Sequence, residues 1–305
     1  MIVLIAGITG NLGQPLATEA LSRGLSVRGL GRDPSKLPAS LSSALESFVV
    51  SKDYYDIPAL EKAVSGVGAV ICAYAPTPTM DLDAHLLLLR AAERAGVTVF
   101  VASCWNNDWS KMEFGDFEHY DTHISFERHV AMTSPIRPVY IFTGMFGDLV
   151  YTPFNPGCFE VIDGTPTITY WGDADKYKFP WTAHEDVAAY TIEILLDGQG
   201  VQDGLGGFFR VKSGEHTFHE FAAAYEEVMG DKVRVIKRGT EEQLDELLAK
   251  ERRTKGRSHY MEYISLAAAK AGSKGSWAYD SYTDLSHVRQ PLPLQDLVRR
   301  QFGKT

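Results

Sequence analysis

Residues 1–13 read MIVLIAGITGNLG, an apolar run that passes directly into three glycines spaced three apart. The apolar run predicts a buried strand, and the amphipathic stretch that follows predicts a helix. Glycine at these positions permits a tight turn, a close approach of the backbone to a diphosphate, and close packing of the helix on the strand. The free N–H groups at the start of the helix would then face the anion. We therefore predict a dinucleotide site formed by Gly7, Thr9, Gly10, Asn11, Leu12 and Gly13. The alternative is a structural turn that holds no ligand.

The next 130 or so residues repeat this alternation of strand and helix. Further apolar runs lie at 26–30, 47–50, 68–73, 98–102 and 138–142, and amphipathic stretches lie near 12–23, 57–65, 82–95 and 119–132. The runs are nearly continuous in Val, Ile and Ala, as expected of parallel strands that are covered on both faces. We predict an α/β fold, with a doubly wound parallel Rossmann sheet in residues 1–150. A smaller α/β substrate-binding part would occupy residues 151–305, with some chain crossing back to the first domain.

Composition narrows the classes of partner. The 305 residues carry a formal net charge of −9, which argues against a nucleic-acid or anionic membrane surface. Three scattered cysteines are too few for a disulfide framework. The first apolar run is too short for a signal sequence and lacks a basic segment before it, and no run is long enough to span a membrane. We expect a cytoplasmic protein with a small-molecule substrate.

The second predicted strand ends at Arg32, with Lys36 close behind it. A carboxylate at this position usually binds a ribose 2′-hydroxyl, whereas a guanidinium suits a 2′-phosphate. Arg32 and Lys36 therefore favour NADP(H). Asp33 follows directly, so NAD is an alternative, and an ordinary solvated arginine is another.

Two later strand ends should border the same ligand, because dinucleotides lie outside the carboxyl ends of the strands. Asp53 follows the third predicted strand and is expected near the adenine. Tyr74 and Ala75 follow the fourth and are expected near the nicotinamide ribose. The alternative is that all three are plain loop residues.

The sequence resembles the NmrA-like and isoflavone-reductase-like branch of the atypical short-chain dehydrogenases/reductases. The resemblance rests on the three glycines, on Arg32-Asp33-Pro34 and on Asp53, and it continues through residues 100–103, 143–146, 170–173 and 182–187. It covers residues 1–230 well and residues 290–293 weakly. It implies a Rossmann domain with a small α/β substrate domain and, usually, NADPH. Members include reductases of aromatic compounds and regulators that bind the dinucleotide without turning it over.

In the reductases of this family, a lysine followed four residues later by glutamate projects from the helix after the fifth strand. Here His123 stands in the place of that lysine, and Glu127 follows it four residues later. The Tyr-x-x-x-Lys pair of the ordinary short-chain dehydrogenases is also missing, because the residue four after Tyr120 is Ile124. Histidine titrates near neutral pH and is a competent general acid. We predict His123 or Tyr120 as the proton donor, with Glu127 orienting the imidazole and Ser103 binding a substrate oxygen. The alternative is a structural histidine in a protein that has lost the chemistry.

Aromatic residues beyond strand ends suggest a flat substrate. The candidates for substrate contact are Trp105, Met145, Phe146 and Tyr151, with core packing as the alternative for each. His119 and His123 have the spacing of half a zinc site, but no further ligand is evident nearby except Glu127, which lies part of a turn off their line, and we predict no metal. The predicted function is an NADPH-dependent reductase of a small aromatic carbonyl or conjugated alkene. The alternatives are a non-catalytic NADP(H)-sensing regulator with a protein partner, and a redox-neutral isomerase.

Capping boxes predict three helix starts in the second half of the chain. The pairs are Thr182 with Glu185, Thr217 with Glu220, and Thr240 with Gln243.

Overall fold

A computed structural model describes residues 1–75 and 81–303, and the chain forms two compact units. The first unit contains residues 1–105, 125–142 and 187–209. The second contains residues 106–124, 143–186 and the described chain from residue 210 onward. The predicted division at residue 150 between a nucleotide domain and a substrate domain stays a prediction.

Each element has the following bounds. The strands are β1 (Ile2–Ala6), β2 (Ser26–Gly31), β3 (Ser47–Val50), β4 (Ala69–Cys72), β5 (Val99–Val101), β6 (Val139–Phe142), β7 (Met145–Phe146), β8 (Cys158–Ile162), β9 (Thr165–Trp171), β10 (Phe179–Thr182), β11 (Gly207–Arg210), β12 (Gly214–His216) and β13 (Arg234–Gly239). The helices are α1 (Gly13–Ser22), α2 (Ala39–Ala44), α3 (Ile57–Val64), α4 (Asp81–Arg94), α5 (Glu118–Thr133), α6 (His184–Asp197), α7 (Phe218–Met229), α8 (Glu241–Lys255), α9 (Ile264–Ser273) and α10 (Leu294–Phe302).

A seven-stranded sheet organises the first unit, in the order β11-β6-β5-β4-β1-β2-β3. β1 pairs in parallel with both β2 and β4, so that Ile5 lies opposite Gly29 on one side and Ile71 on the other. Residues 3–6 and the whole of β4 are buried, as continuous apolar strands between two helical layers should be. The strand order reverses direction between β1 and β4, which is the point where such sheets bind ligands. The predicted doubly wound Rossmann fold is confirmed.

Two of the three predicted capping boxes are present. The hydroxyls of Thr217 and Thr240 accept from the backbone three residues on, and the side chains of Glu220 and Gln243 reach back. The box predicted at Thr182 is wrong. α6 begins at His184, and Thr182 is the last residue of β10, where its buried hydroxyl donates to the Thr143 carbonyl at 2.6 Å.

The second unit contains two three-stranded sheets, β12-β10-β7 and β13-β9-β8. Trp181, from β10, is completely buried, and its indole N–H donates to His216 Nδ1 at 3.0 Å. His216 must be neutral at that nitrogen in order to accept. Burial is the largest influence on this imidazole and lowers the pKa of His216 below its ordinary 6.5.

We expect this contact to make stability depend on pH. Because the folded pKa of His216 is lowered, the unfolded chain binds more protons, and the contribution is complete above about pH 6.5. It is lost as the pH falls through the folded pKa. Chemical denaturation between pH 7.5 and 5 should therefore show the free energy of unfolding falling less steeply in His216→Gln, whose amide oxygen can still accept from Trp181. Equal slopes for the two proteins would contradict the assignment.

Candidate functional site

Two of the three glycines in the first turn are required by the fold itself. Gly7 has φ +84°, and a Cβ there would lie 2.4 Å from the carbonyl oxygen of Ala73. A Cβ on Gly13 would lie 2.3 Å from the carbonyl oxygen of Gly7 and 2.7 Å from the Cα of Ile8. These distances fall far inside van der Waals contact, so both positions exclude any side chain.

Gly10 differs from the other two. The nearest atom to a Cβ at Gly10 would be the Gly7 carbonyl oxygen at 3.2 Å, with nothing else within 4 Å. The protein alone therefore gives only a weak reason for glycine here, and the space over the backbone is open. α1 begins immediately afterwards with no side-chain cap and no acidic residue in its first turn. The positive end of the helix dipole is thus left for an anion.

A cavity of about 190 Å³ opens over this turn. It is lined by Gly7, Thr9, Gly10, Leu30, Gly31, Arg32, Ser51, Lys52, Asp53, Tyr54, Ala73, Tyr74 and Ala75, which follow or end β1, β2, β3 and β4. The structure therefore gathers seven of the predicted cofactor residues around one cavity. The predicted residues Asn11, Leu12, Gly13 and Lys36 are not part of its lining. Ser51 and Lys52 were missed, although their position directly after β3 was a usable signal.

Arg32 and Asp33, at the end of β2, differ in whether their charged groups are engaged within the protein. The Asp33 carboxylate accepts from the backbone N–H of Ser35 at 3.0 Å and from its hydroxyl at 2.6 Å, and so caps the short turn Pro34–Lys36. The hydroxyl hydrogen bond is the main reason that the pKa of Asp33 is lowered. Arg32 and Lys36 are exposed, and across residues 1–75 and 81–303 neither has a carboxylate within ion-pair distance. The carboxylate is engaged locally, whereas the cations are available to an external anion.

Tyr74 forms one wall of the cavity. Its ring lies edge-on to Tyr54, with 4.8 Å between the ring centroids, and burial raises the pKa of Tyr74 well above its ordinary value. The Ser103 hydroxyl donates to the Tyr74 carbonyl at 2.9 Å. Ser103, two residues beyond the end of β5, thereby has its hydroxyl proton engaged by the backbone. Its predicted contact with substrate remains untested.

The predicted proton donors both lie on α5, in the second unit. His123 is 5% exposed and Tyr120 is 3% exposed. The imidazole stacks on Trp109, with 5.9 Å between centroids and 10° between planes, and its Nε2 lies 3.1 Å from Asn106 Nδ2. Asn107 Nδ2 donates to the Tyr120 hydroxyl at 3.4 Å, and burial raises the pKa of Tyr120. The tyrosine therefore stays protonated at any physiological pH.

A loop of polar residues holds both side chains, and the sequence analysis missed it. Asp108 is completely buried, and its carboxylate accepts from Ser110 N–H at 3.0 Å and from Arg210 Nε at 2.6 Å. A buried ion pair with further hydrogen bonds fixes the loop strongly, because loss of one partner would leave a buried charge. Residues 106–108, Asn-Asn-Asp, look in sequence like an ordinary turn. Only the folded structure shows that the consecutive residues Asn106 and Asn107 contact His123 and Tyr120 on α5.

The four predicted substrate contacts lie in different environments. Trp105 is buried and its indole N–H donates to Thr191 Oγ1 at 2.9 Å, while the buried Tyr151 hydroxyl donates to the Phe221 carbonyl at 2.9 Å. Met145 is buried in β7. Phe146 is half-buried and stacks on His184, with 4.6 Å between centroids. Satisfied polar groups favour the packing interpretation for Trp105 and Tyr151, and leave Phe146 as the accessible member of the set.

Within residues 1–75 and 81–303, no three His, Cys, Asp or Glu side chains converge as metal ligands would. The His119 and His123 rings have centroids 6.3 Å apart. No helix in the same ranges has the length and apolar character to cross a bilayer.

Comparison with known proteins identifies a family for this fold and turn. The NmrA-like family model matches residues 1–285, and the chain belongs to this family. No curated protein sequence matches it significantly.

Solved structures share the fold at low identity. Leucoanthocyanidin reductase from Vitis vinifera, solved with NADPH, is 20% identical with a TM-score of 0.74 over 100% of both chains. An NADPH-dependent quinone oxidoreductase from Escherichia coli, complexed with NADPH, is 20% identical with a TM-score of 0.71 over 98% of this chain and 99% of the other. A nucleoside-diphosphate-sugar epimerase from Staphylococcus aureus is 18% identical with a TM-score of 0.72 over 98% and 100%. Similarity at this level demonstrates a shared fold.

Proposed function

We propose that this protein binds NADP(H) in the cavity over the first glycine turn. The observation that carries the proposal is one cavity lined both by Gly10, where the backbone is open, and by the exposed cation of Arg32, with the uncapped helix α1 beginning three residues after Gly10. The diphosphate would lie over Gly10 and α1, and Arg32 with Lys36 would hold the 2′-phosphate. Two structural neighbours were solved with NADPH, which supports the same ligand here.

We further propose an NADPH-dependent reductase of a small aromatic carbonyl or conjugated alkene. The family and the two neighbouring reductases support this reaction class. When bound, NADPH supplies a hydride, that is, a proton and two electrons, to an electrophilic substrate carbon. The chain from residue 151 onward is the proposed source of most substrate contacts, with Phe146 just before it.

His123 is the proposed general acid. The oxygen or carbon that gains electron density from hydride addition needs one proton, which the imidazolium of His123 would give and then regain from solvent. Tyr120 has its pKa raised by burial and so gives up its proton less readily than an imidazolium near neutral pH. Tyr120 is therefore assigned to positioning or hydrogen bonding rather than to proton release.

His123→Gln should lower kcat at least tenfold, about 1.4 kcal/mol, because the amide cannot supply a proton. The affinity for NADPH should stay the same, since His123 is not among the residues that line the dinucleotide cavity. The measurement is steady-state NADPH oxidation across a panel of quinones, enones and aromatic aldehydes. His129→Gln is the matched control, being an exposed histidine on the same helix. Full activity in His123→Gln would remove the acid assignment.

A non-catalytic NADP(H) sensor is the second candidate. The burial of both His123 and Tyr120 favours it, because a buried pair could be purely structural. A sensor would bind NADPH and NADP⁺ by calorimetry, oxidise no NADPH on the whole panel, and engage a protein partner. Conversion of substrate without net NADPH consumption would instead indicate the redox-neutral isomerase.

A further inference from the structure

The hydrogen bond between Asn106 and His123 has a consequence for how the imidazole changes charge. Asn106 Nδ2 lies 3.1 Å from His123 Nε2, and Trp109 stacks against the ring. The histidine is 95% buried by its surface, so each of its protonation states needs a hydrogen-bond partner within the protein.

An amide can serve both states of the imidazole. Its nitrogen donates to a neutral Nε2, and its oxygen accepts from a protonated Nε2–H. The two arrangements differ by a half-turn of the amide, which places oxygen where nitrogen was. The backbone of Asn106 need not move, and its carbonyl already accepts from Thr143 N–H at 3.1 Å. A carboxylate at this position would favour only the charged imidazole, and an aliphatic group would satisfy neither state.

We propose that Asn106 is a positioning residue for His123, whose amide follows the proton by rotating between donor and acceptor. This inference rests on the proposed role of His123 as general acid. Asn106 would thereby keep a hydrogen bond to the buried imidazole in both of its charge states, while Trp109 fixes the plane of the ring.

Other groups also lie around the ring. On α5 itself, His119 and Tyr120 have ring centroids 6.3 Å and 6.1 Å from His123. His119 lies against Tyr260, whose hydroxyl is 3.3 Å from its Nδ1. From the loop, the charge of Asp108 is paired with Arg210. Asn106 is a neutral group within hydrogen-bond distance of Nε2, so its replacement should change the titration of His123.

The test is the titration of His123 by NMR in three full-length proteins without substrate, with His123→Gln used to assign the signal. Asn106→Asp should raise the pKa of His123 by about 1 unit, and the nearly isosteric Asn106→Leu should lower it by a similar amount. The proposal is overturned if both variants titrate within 0.2 units of the wild type, or if both shift the same way. Near-UV circular dichroism checks folding, and a misfolded Asn106→Leu leaves Asn106→Asp as the deciding variant.

Turnover then separates the two levels of the proposal. If His123 is the acid, the pH at which kcat half-declines on the alkaline side should move with the measured pKa in both variants. A pKa that shifts as expected in a protein that never oxidises NADPH would keep the Asn106 assignment and reject the reductase. If the pKa of His123 is unshifted in the variants but turnover depends on His123, the reductase is kept and the Asn106 assignment is rejected.

Discussion

Arg32→Ala is expected to weaken NADPH binding roughly 30-fold, about 2 kcal/mol, while NADH binding stays within about twofold. The guanidinium is exposed at the tip of β2 and lines the cavity, and no carboxylate of the described residues is within ion-pair distance of it. Its removal would delete the bidentate, charge-assisted hydrogen bonds proposed to the 2′-phosphate, a group that NADH lacks. The neighbouring Asp33 is tied to Ser35, so the carboxylate is poorly placed to serve a 2′-hydroxyl instead.

Calorimetry with NADPH and NADH on both proteins measures this effect. Arg253→Ala is a matched control, because it removes an exposed arginine from α8 in the second unit and should alter neither affinity. The wild type should prefer NADPH, and the variant should bind the two nucleotides nearly equally. Equal affinities in the wild type would refute the role given to Arg32.

The sheet could be predicted from sequence because its strands are chemically simple. The run at 47–50 coincides with β3, and those at 68–73 and 138–142 enclose β4 and β6 within a residue. Strands that are buried on both faces, such as β4 and β6, must be apolar throughout and so carry a strong local signal, whereas β3 is an edge strand in which only Val49 is buried. β11 shows the limit, because Gly207–Arg210 is a short, partly exposed edge strand and no apolar run indicates it. The pairing of β11 with β6 is a tertiary contact, which the local sequence does not indicate.

The site was predictable only where a local constraint fixes the residue type. Gly7, Gly10, Arg32 and the residues after β4 are set by the strand ends that they follow, and the structure places them on one cavity. The loop of Asn106 and Asp108 carries no such signal, since its partners lie on α5 and at Arg210, far along the chain. Tertiary contacts also moved Thr182 from a predicted cap into β10.

Gly13→Ala and Gly10→Ala should have different consequences, although both add one methyl group to the same turn: the first should lower the stability of the fold, and the second should lower the affinity for NADPH. At Gly13 the Cβ would lie 2.3 Å from the Gly7 carbonyl oxygen and 2.7 Å from the Ile8 Cα. Backbone atoms cannot rotate away as a side chain can, so α1 must shift relative to β1. We expect a loss of about 3 kcal/mol in the free energy of unfolding, measured by chemical denaturation.

At Gly10 the closest contact would be 3.2 Å, so Gly10→Ala should change the free energy of unfolding by less than about 1 kcal/mol. Its methyl group would nevertheless occupy the space where a diphosphate approaches the backbone, and NADPH affinity should fall at least tenfold. A stable Gly10→Ala protein that binds NADPH normally would show that the open backbone is not the anion site. Destabilisation of both variants to the same degree would show instead that the turn is only structural. The two glycines therefore separate what the fold requires from what the ligand requires, because only at Gly10 does the protein leave the space empty.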